Sequence, residues 1–350
     1  MKAAVWYGRK DVRVMNVPEP PSPRKGRVKI KVHWCGICGS DLHEYLSGPI
    51  FIPVDAPHPL TGRKAPITMG HEFSGEIVKV GPEVTNVKVG DRVVADACQV
   101  CWECDRCKEG RYNLCSKLAF TGLMADGAFA EYVDVPAYTL YKIPDNMTYE
   151  AGALMEPLAV GVHAVRRSMR EGDVVVILGA GTIGLVTIMA ARAAGARKVY
   201  ALEIAKARKE FALKVGATEV LDPTKMDVVA KVRELTGGGA DVVFECIGNE
   251  DTGPLAVELA RSAGKVVIVG IFSKPSKFHF NSLSLTEKEV MGSLAYNGEF
   301  GPAIDLVADG RINVEQLVTG KIGIDDIVEK GFEELVNRKE QNIKILVRPS

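Results

Sequence analysis

The feature that most constrains the fold is a glycine-rich turn between an apolar run and a helical segment. The apolar run Val174 to Leu178 leads into Gly179-Ala180-Gly181-Thr182-Ile183-Gly184, and a helix is predicted over Leu185 to Ala194. A G-x-G-x-x-G pattern alone is weak evidence, but a turn that follows a buried strand and opens a helix is typical of a dinucleotide-binding βαβ unit. The turn therefore predicts a parallel sheet around it.

Strands and helices continue to alternate after this turn. Further strands are predicted over Val199 to Leu202, Val242 to Cys246 and Val266 to Val269, and helices over Ala205 to Val215 and Thr252 to Ala263. Strands that are apolar without alternation are what a parallel sheet covered on both faces requires. Residues 157–296 are therefore predicted to form a doubly wound α/β domain.

Each glycine of the turn has a predicted role. Gly179 allows the tight turn, Gly181 lets the backbone approach a pyrophosphate, and Gly184 permits close packing of helix on strand. Thr182 and Ile183 then stand at a helix N-terminus, which favours an anion. These five residues are the first predicted contacts of a dinucleotide coenzyme.

Glu203 lies nineteen residues beyond the last glycine, at the end of the second strand. A carboxylate there accepts the ribose hydroxyls and repels a 2′-phosphate, which predicts NAD. Lys206 and Arg208 lie close enough to accommodate a phosphate, so NADP stays an alternative, and Arg208 is included among the coenzyme-binding residues. A glycine turn followed by an unrelated surface glutamate is the structural alternative.

The first 155 residues differ from the rest, because short β-like runs are separated by glycine and proline. Val28 to Val32 alternates strictly, and Ser74 to Val80, Asp91 to Ala95 and Phe129 to Val135 are bounded by glycines. The segment Ser47 to Pro66 carries five prolines and predicts an exposed loop. This part is expected to be a β-rich barrel or sandwich.

Five of the eight cysteines fall between Cys98 and Cys115. Cysteines in a reducing cytosol favour metal binding over disulfides. Four thiolates on a short loop close a tetrahedral shell around zinc, which makes a structural site. An iron–sulfur cluster is the alternative. Because Cys98 adds another C-x-x-C step, the spacing alone leaves one ligand ambiguous.

A catalytic metal needs ligands of mixed type and an open position. The candidates are Cys38, then His71 and Glu72 in Gly-His-Glu, then Glu156 in Glu-Pro-Leu. Each of them taken alone is more often a structural polar group. Their occurrence together with a dinucleotide motif favours a catalytic site.

Charge and hydropathy exclude several classes of partner. Forty-four basic side chains balance forty-four acidic ones without a block of either sign, so we expect no nucleic-acid or anionic-lipid partner. No apolar run has the length of a signal peptide core or a membrane span. A cytoplasmic protein with a small, roughly neutral partner is therefore expected.

The order of these motifs resembles the zinc-dependent medium-chain alcohol and polyol dehydrogenases. Cys-Gly-x-Cys-Gly-Ser-Asp, Gly-His-Glu, Gly-Asp-Arg-Val, the four-cysteine loop, Glu-Pro-Leu and Gly-x-Gly-x-x-Gly follow one another over essentially the whole chain. The resemblance implies a GroES-like catalytic domain from residues 1–156 and 297–350, and a Rossmann-type NAD-binding domain from residues 157–296. It also implies a homodimer or homotetramer.

The same resemblance implies two zinc ions per chain. The structural ion falls to Cys101, Cys104, Cys107 and Cys115, with Cys98 as an extra cysteine. The catalytic ion falls to Cys38 and His71, with a glutamate as the third protein ligand. Glu72 and Glu156 are both candidates, one binding metal while the other holds its water, and we favour Glu156 slightly.

Ser40 and His43 resemble the proton relay of the alcohol dehydrogenases, in which a hydroxyl passes a proton through the coenzyme ribose to a histidine. Asp41 is expected to orient the zinc shell. Lys344 is interpreted either as approaching the coenzyme pyrophosphate, by analogy with relatives, or as a solvated lysine at a sheet edge.

The segment His58 to Gly62, before Gly70 to Gly75, resembles the (R,R)-2,3-butanediol dehydrogenases. It implies hydride transfer between NAD and a secondary alcohol, most specifically the vicinal diol and hydroxyketone pair 2,3-butanediol and acetoin. Sorbitol or another polyol and L-threonine are alternative substrates. A non-catalytic NAD(P)-binding relative is the alternative from another class.

Overall fold

The computed structural model describes residues 1–350. The chain forms two compact units, of which unit 1 comprises residues 1–156 and 300–350 and unit 2 comprises residues 157–299. The strands, in chain order, are β1 (Lys2–Gly8), β2 (Asp11–Asn16), β3 (Arg27–Gly36), β4 (Ile67–Thr68), β5 (Glu72–Val80), β6 (Arg92–Ala95), β7 (Cys98–Gln99), β8 (Ala119–Phe120), β9 (Tyr132–Pro136), β10 (Leu140–Lys142), β11 (Val174–Leu178), β12 (Lys198–Leu202), β13 (Glu219–Leu221), β14 (Ala240–Glu245), β15 (Ala260–Ile268), β16 (Glu289–Gly292), β17 (Val318–Gly323) and β18 (Lys344–Arg348).

The helices, in chain order, are α1 (Gly39–Ser47), α2 (Asp105–Lys108), α3 (Tyr149–Ala153), α4 (Met155–Ser168), α5 (Thr182–Ala193), α6 (Lys206–Lys214), α7 (Val228–Thr236), α8 (Thr252–Leu259), α9 (Asn281–Ser284), α10 (Phe300–Ala308) and α11 (Glu334–Asn337). Short 3-10 turns cover Tyr112–Leu114, Ala137–Thr139, Glu315–Leu317 and Ile324–Asp326, and a π-helix covers Ile327–Glu333. None of these helices has both the length and the apolar character that a bilayer crossing demands.

Unit 1 is β-rich, as its punctuated sequence predicts. Its largest sheet has the order β10-β6-β5-β3-β18-β17, and β9 also pairs with β3. The alternation in β3 puts Val28, Ile30 and Val32 in the core, where all three are fully buried. Strand β18, from the C-terminal end of the chain, runs antiparallel to β3, so the last segment belongs to the same unit as the first.

Helix α1 is a feature of unit 1 that the sequence pattern did not predict. It begins directly after the end of β3, and Cys38 in extended conformation is its N-cap. The Asp41 carboxylate accepts a hydrogen bond of 2.9 Å from the Cys38 backbone N–H, which stabilises the first turn. Gly36 ends β3 and Gly39 begins α1, so glycines precede a helix of only 9 residues.

Unit 2 is the predicted doubly wound domain. Its six strands are parallel throughout, in the order β13-β12-β11-β14-β15-β16. All five residues of β11 are buried, as continuous apolar strands in a covered sheet should be. The predicted α/β fold class, a β-rich GroES-like domain with a Rossmann-type domain, is confirmed.

One predicted helix in unit 2 is partly wrong. We expected a helix over Thr252 to Ala263, but α8 ends at Leu259 and β15 begins at Ala260. Ala260 already pairs with Ala240 of β14 before a register shift, and Ala263 has a φ of 55°. Sheet pairing and a left-handed residue therefore override the helical propensity of this alanine-rich stretch.

Candidate metal centres and coenzyme site

Four cysteines of unit 1 converge on one point. The sulfur atoms of Cys101, Cys104, Cys107 and Cys115 all lie within 4.8 Å of one another, and Cys101 Sγ is 3.4 Å from Cys115 Sγ. A tetrahedral zinc with bonds of about 2.3 Å to sulfur separates its ligands by about 3.8 Å. The four sulfur atoms therefore suit a closed zinc shell, and Cys98 lies outside this group in β7.

Local backbone groups favour negative sulfur at two of these positions. N–H groups of Ser116 and Cys107 lower the pKa of Cys104 to about 6. The N–H groups of Glu103 and Cys104 lower the pKa of Cys101. Burial instead raises the pKa of Cys107 to about 12. Because a metal binds thiolates, the first two sulfur atoms are prepared for it and the third ionises in response to it.

A second donor group of mixed chemistry lies elsewhere in unit 1. One ligand atom each from Cys38, His71 and Glu72 fall within 4.8 Å of one another. Cys38 caps α1, and Gly36 of β3 pairs with Glu72 at the start of β5, so the sheet itself brings the two segments together. Sulfur, nitrogen and oxygen ligands in a set of three match a catalytic zinc site that keeps an open position.

The two ring nitrogens of His71 have different surroundings. Nε2 lies 3.2 Å from Ser40 Oγ, whereas Nδ1 lies 3.6 Å from Asp41 Oδ1. Nδ1 and Oδ1 are buried without a hydrogen-bond partner, although a metal ligand normally has its second nitrogen bonded to such a carboxylate. The donor set fits a metal at Nε2. With Nε2 on a metal, the proton would be on Nδ1, which would donate a hydrogen bond to Asp41 Oδ1.

The charges around this site shift three pKa values. Burial raises the pKa of the Cys38 thiol, and the Glu72 charge adds to the effect. Burial also raises the pKa of Asp41, to about 6. Although burial lowers the pKa of His71, Asp41 and Cys38 together raise it well above its ordinary value. A divalent cation at this site would lower the pKa of the Cys38 thiol and displace the proton from His71.

Lys344 of β18 contacts the donor group, which neither of its two sequence interpretations, a coenzyme pyrophosphate contact or a solvated edge lysine, predicted. Its ammonium lies 2.8 Å and 2.6 Å from the two carboxylate oxygens of Glu72 and 2.9 Å from the carbonyl oxygen of Ile37. It is 1% exposed, so it is not a solvated lysine at a sheet edge. A lysine directly before the apolar run Ile345 to Val347 was the available signal, because buried lysines are almost always paired.

Glu156 lies at the start of α4, also in unit 1, and is 7% exposed. Its charge contributes to raising the pKa of His71 and of Lys344, so it acts on the same site. The group within 4.8 Å contains Glu72 and not Glu156. Glu72 is therefore a member of the donor group, whereas Glu156 acts on it through its charge.

Ser40 and His43 both belong to α1. Three residues apart, they lie on the same helix face. The structure brings Ser40 to His71, as given above, while His43 is partly exposed. The helix thus brings the Ser40 hydroxyl to the donor group and leaves the His43 imidazole partly exposed.

The glycine turn of unit 2 has the geometry that its residues predict. Gly179 has a φ of 90°, and Gly181 is the N-cap of α5. A Cβ on Gly184 would lie 1.9 Å from the carbonyl oxygen of Gly179, so only glycine allows α5 to pack on the turn. Thr182 and Ile183 form the first turn of α5, and the positive end of the helix dipole suits a phosphate there.

Glu203 follows β12, immediately beside the glycine turn. Its Oε2 accepts from the N–H of Ala180 at 2.9 Å, and its Oε1 accepts from Ile204 at 2.8 Å and Ala205 at 2.9 Å. Since a carboxylate oxygen accepts two hydrogen bonds, Oε2 keeps one acceptor position. Arg208 in α6 places a cation beside the glycine turn. Its Nη1 would lie 3.9 Å from a Cβ built on Gly181.

A glycine turn at a sheet switch point, together with a mixed donor group, defines a metal- and nucleotide-dependent oxidoreductase. The model of the alcohol dehydrogenase GroES-like domain matches residues 24–145, and that of the zinc-binding dehydrogenase matches residues 182–309. The chain is 48% identical to the (R,R)-butanediol dehydrogenase of Bacillus subtilis, with both chains fully covered. It is 41% identical to that of Neisseria gonorrhoeae, again over the full length of both.

A solved structure, the 2R,3R-butanediol dehydrogenase of Bacillus subtilis, agrees with the fold at a TM-score of 0.94. It is 47% identical to this chain, and the match covers 100% of this chain and 99% of that one. The chain therefore belongs to the zinc-binding alcohol dehydrogenases with a GroES-like domain.

Proposed function

We propose that the protein is an NAD-dependent, zinc-dependent oxidoreductase that interconverts a vicinal diol and its hydroxyketone, with 2,3-butanediol and acetoin as the preferred pair. The observation that carries the proposal is the trio Cys38, His71 and Glu72 in a chain that also holds a glycine turn with Glu203. Full-length similarity to two enzymes named as butanediol dehydrogenases supports the choice of substrate.

Cys38 Sγ, His71 Nε2 and a glutamate would hold the catalytic zinc, and the four-cysteine group would hold the structural one. When bound, the catalytic ion supplies a positive charge that makes an alcohol more acidic, and NAD supplies the hydride acceptor. Asp41 Oδ1, 3.6 Å from Nδ1, would orient the His71 ring with Nε2 toward Cys38. The same carboxylate accepts from the Cys38 N–H, so one buried acidic group lies against both segments that carry these donor atoms.

Ser40 is proposed as the group that accepts the alcohol proton. Its Oγ lies 3.2 Å from His71 Nε2, the nitrogen proposed to bind the metal. A hydroxyl at that distance from the ligand atom is within reach of an oxygen at the open position. His43, on the same face of α1, would pass the proton on toward water.

Glu72 is proposed as the third ligand and Glu156 as the group that holds a water near it. The group within 4.8 Å supports Glu72, and the effect of the Glu156 charge on His71 supports a nearby but separate position. The pairing of Glu72 with Lys344 leaves its carboxylate shared between lysine and metal. The reverse assignment, with Glu156 on the metal and Glu72 on the water, is the alternative.

NAD is proposed as the coenzyme, with Glu203 as the acceptor for the ribose. The free acceptor position on Oε2 suits a ribose hydroxyl, and the negative charge opposes a 2′-phosphate. Arg208 stands at the glycine turn, where its guanidinium would attract the pyrophosphate.

The purified protein with NAD tests this proposal directly. NADH absorbance is followed with 2,3-butanediol stereoisomers, sorbitol, L-threonine and simple secondary alcohols. We expect the highest kcat/KM with the (R,R)-diol. Turnover of another class with none on any vicinal diol would overturn the substrate, and no turnover with NADH binding intact would favour a non-catalytic relative.

A homodimer through the edge of unit 2 is also proposed, and a homotetramer is an outcome of the same test. Strand β16 pairs on one side only, and exposed apolar side chains lie before it, along it and just after it in the sequence. They are Phe280, Leu285, Val290 and Leu294. Light scattering after gel filtration measures the mass. A monomer would contradict the proposal.

The cytoplasm is proposed as the compartment. All eight cysteines are free thiols, including the four that converge within 4.8 Å. Thiols this close persist unoxidised in a reducing compartment or under a metal. Fractionation of cells that produce the protein, with a cytoplasmic marker, is the corresponding measurement.

A further inference from the structure

The π-helix Ile327–Glu333 of unit 1 lies against helix α1. Tyr45 of α1 is buried, and its ring stacks on the Phe332 ring with 5.2 Å between the centroids and an interplanar angle of 18°. The Tyr45 hydroxyl donates to Glu333 Oε1 at 2.5 Å. Two consecutive residues of the π-helix therefore hold the ring and the hydroxyl of one side chain in α1.

The Glu333 carboxylate is itself fixed. Its Oε2 accepts from the side-chain amide of Asn337 at 3.0 Å. The hydrogen bond from Tyr45 lowers the pKa of Glu333, and burial together with the same hydrogen bond raises the pKa of Tyr45 to about 12. The phenol is therefore protonated and the carboxylate charged near neutral pH, which gives a charge-assisted hydrogen bond.

The same π-helix contacts the segment that carries Cys38. A Cβ on Gly331 would lie 2.7 Å from Cδ1 of Ile37, the residue before Cys38. The i→i+5 hydrogen bonds of a π-helix give more residues per turn than an α-helix has, so consecutive side chains are separated by a smaller angle. Residues 331, 332 and 333 can thereby all meet the stretch from residue 37 to residue 45.

A packed path also leads from the π-helix to the segment of His71. Phe332 is fully buried and packs edge-on against Phe129, with 6.3 Å between the ring centroids. A Cβ on Gly70 would lie 2.7 Å from the backbone N and 2.8 Å from Cγ of Phe129, and Gly70 directly precedes His71. The π-helix is therefore packed against both segments that supply donor atoms.

We propose that Tyr45, Phe332 and Glu333 are positioning residues, which hold α1 so that the Ser40 hydroxyl meets His71 Nε2. This inference rests on the proposed function, in which Ser40 accepts the alcohol proton. Ser40 and Tyr45 belong to one helix of 9 residues, so contacts at Tyr45 set where Ser40 Oγ lies. A misplacement of about 1 Å can lower a rate about 10²-fold.

A double-mutant cycle on kcat tests whether Tyr45 acts through Ser40. The zinc-loaded protein is assayed with NAD and the alcohol that gives the highest kcat/KM. Tyr45→Phe keeps the ring stack but loses the hydroxyl, and should lower kcat about tenfold. In the Ser40→Ala protein the same change should alter kcat by less than about twofold, because residues that act as a unit are not additive. KM for NAD should stay unchanged, since Glu203 and the glycine turn belong to unit 2.

Hydrogen exchange gives a readout that needs neither metal nor substrate. In the zinc-free protein, the amides of residues 39–47 should exchange faster in Tyr45→Phe and in Glu333→Leu. Glu333→Gln keeps an oxygen that accepts from the Tyr45 hydroxyl, so its kcat should stay within about threefold of the original value. Glu333 is partly exposed, so Glu333→Leu carries the cycle with Ser40→Ala if Tyr45→Phe does not fold.

Tyr112 offers a matched control in another segment of unit 1. Its hydroxyl also donates to a carboxylate, Asp96 Oδ2, at 2.7 Å, and it lies in the 3-10 turn Tyr112–Leu114. Tyr112→Phe should lower the unfolding midpoint and leave kcat and the exchange of residues 39–47 unchanged.

The outcomes separate this inference from the proposed function. If Tyr45→Phe lowered kcat equally in the original and Ser40→Ala proteins, Tyr45 would serve general stability and the inference would be overturned. Unchanged kcat in both Tyr45→Phe and Glu333→Leu would overturn it too. An original protein that oxidises no alcohol overturns the proposed function. If it is active and Ser40→Ala keeps full kcat, the relay is wrong while the oxidoreductase function stands, and the inference falls in either case.

Discussion

Lys344 donates to both carboxylate oxygens of Glu72, at 2.8 Å and 2.6 Å, in a site where neither side chain reaches solvent. Although burial lowers the pKa of Lys344, Glu72 and Cys38 raise it above its ordinary value, so the ammonium stays charged. A candidate metal ligand is thus already neutralised by a residue 272 positions later in the chain.

Replacing this lysine tests whether metal and ammonium share Glu72. Lys344→Met leaves a buried carboxylate unpaired, which should destabilise the metal-free protein by roughly 3–5 kcal/mol. Added zinc supplies the missing charge, so the loss should shrink in the zinc-loaded protein. Urea denaturation with and without a chelator measures both values. Equal losses in the two conditions would mean that Glu72 does not meet the metal, and Glu72→Gln with Lys344→Met should recover most of the loss.

Metal content distinguishes the four-cysteine group from its fifth neighbour. Cys104→Ser should lower the zinc count from about two to about one per chain and reduce thermal stability, because a structural site contributes folding energy. Cys98→Ala, a buried cysteine outside the group, should keep both ions. Plasma emission spectrometry gives the counts. If Cys98→Ala lost zinc while Cys104→Ser kept both ions, Cys98 would be a zinc ligand in place of Cys104.

The proton relay predicts a loss of rate without a loss of metal. Ser40→Ala should lower kcat by about 10²- to 10⁴-fold, the usual contribution of a positioned acid–base group, while zinc content stays unchanged. Ser47→Ala, an exposed serine at the end of the same helix, is the control. His43→Ala should have a smaller effect. An undiminished kcat in Ser40→Ala would remove this hydroxyl from the mechanism.

Coenzyme preference should follow the charge of Glu203. Glu203→Gln keeps an acceptor for the neighbouring N–H groups but removes the charge that opposes a 2′-phosphate. We expect the ratio of kcat/KM for NADP to that for NAD to rise about tenfold, which corresponds to about 1.4 kcal/mol. Arg208→Leu in the same chain should cancel this gain. An unchanged ratio would mean that residues other than Glu203 discriminate NAD from NADP.

Acid stability should depend on a buried pair in unit 2. His163 Nδ1 lies 3.0 Å from Glu299 Oε2. Burial raises the pKa of Glu299, but the hydrogen bonds from His163 and the Asn297 N–H outweigh it and lower the pKa below the ordinary value of 4.5. The pair therefore contributes stability above pH 4.5, and the contribution is lost as pH falls below that value.

In His163→Leu, Glu299 loses this partner, so protonation of the carboxylate relieves a buried charge. Stability should then fall less steeply with acidification than in the original protein. Denaturant titrations at several pH values between neutral and acid give the slopes. Parallel slopes in the two proteins would show that the pair does not govern acid stability.

Much of the site was visible in short sequence patterns. The glycine turn, the cysteine quartet and the Gly-His-Glu motif are each set within a few residues, where ligand chemistry and backbone constraints act locally. The boundary between α8 and β15 was not visible, because sheet pairing of Ala260 competes with helical propensity. Helix α1 was missed as well, since it has only 9 residues, begins at a glycine and has its start stabilised by Asp41.

The sequence by itself determined the fold class, the donor types and the coenzyme turn, because the periodicity of apolar residues and the spacing within motifs are local properties of the sequence. The tertiary structure decided which distant groups meet. Antiparallel pairing of β18 with β3 carries Lys344 to Glu72, and antiparallel pairing of β3 with β5 carries the segment of Cys38 to Glu72. Such contacts depend on sheet order and register, which burial of whole strands sets and which no local pattern contains.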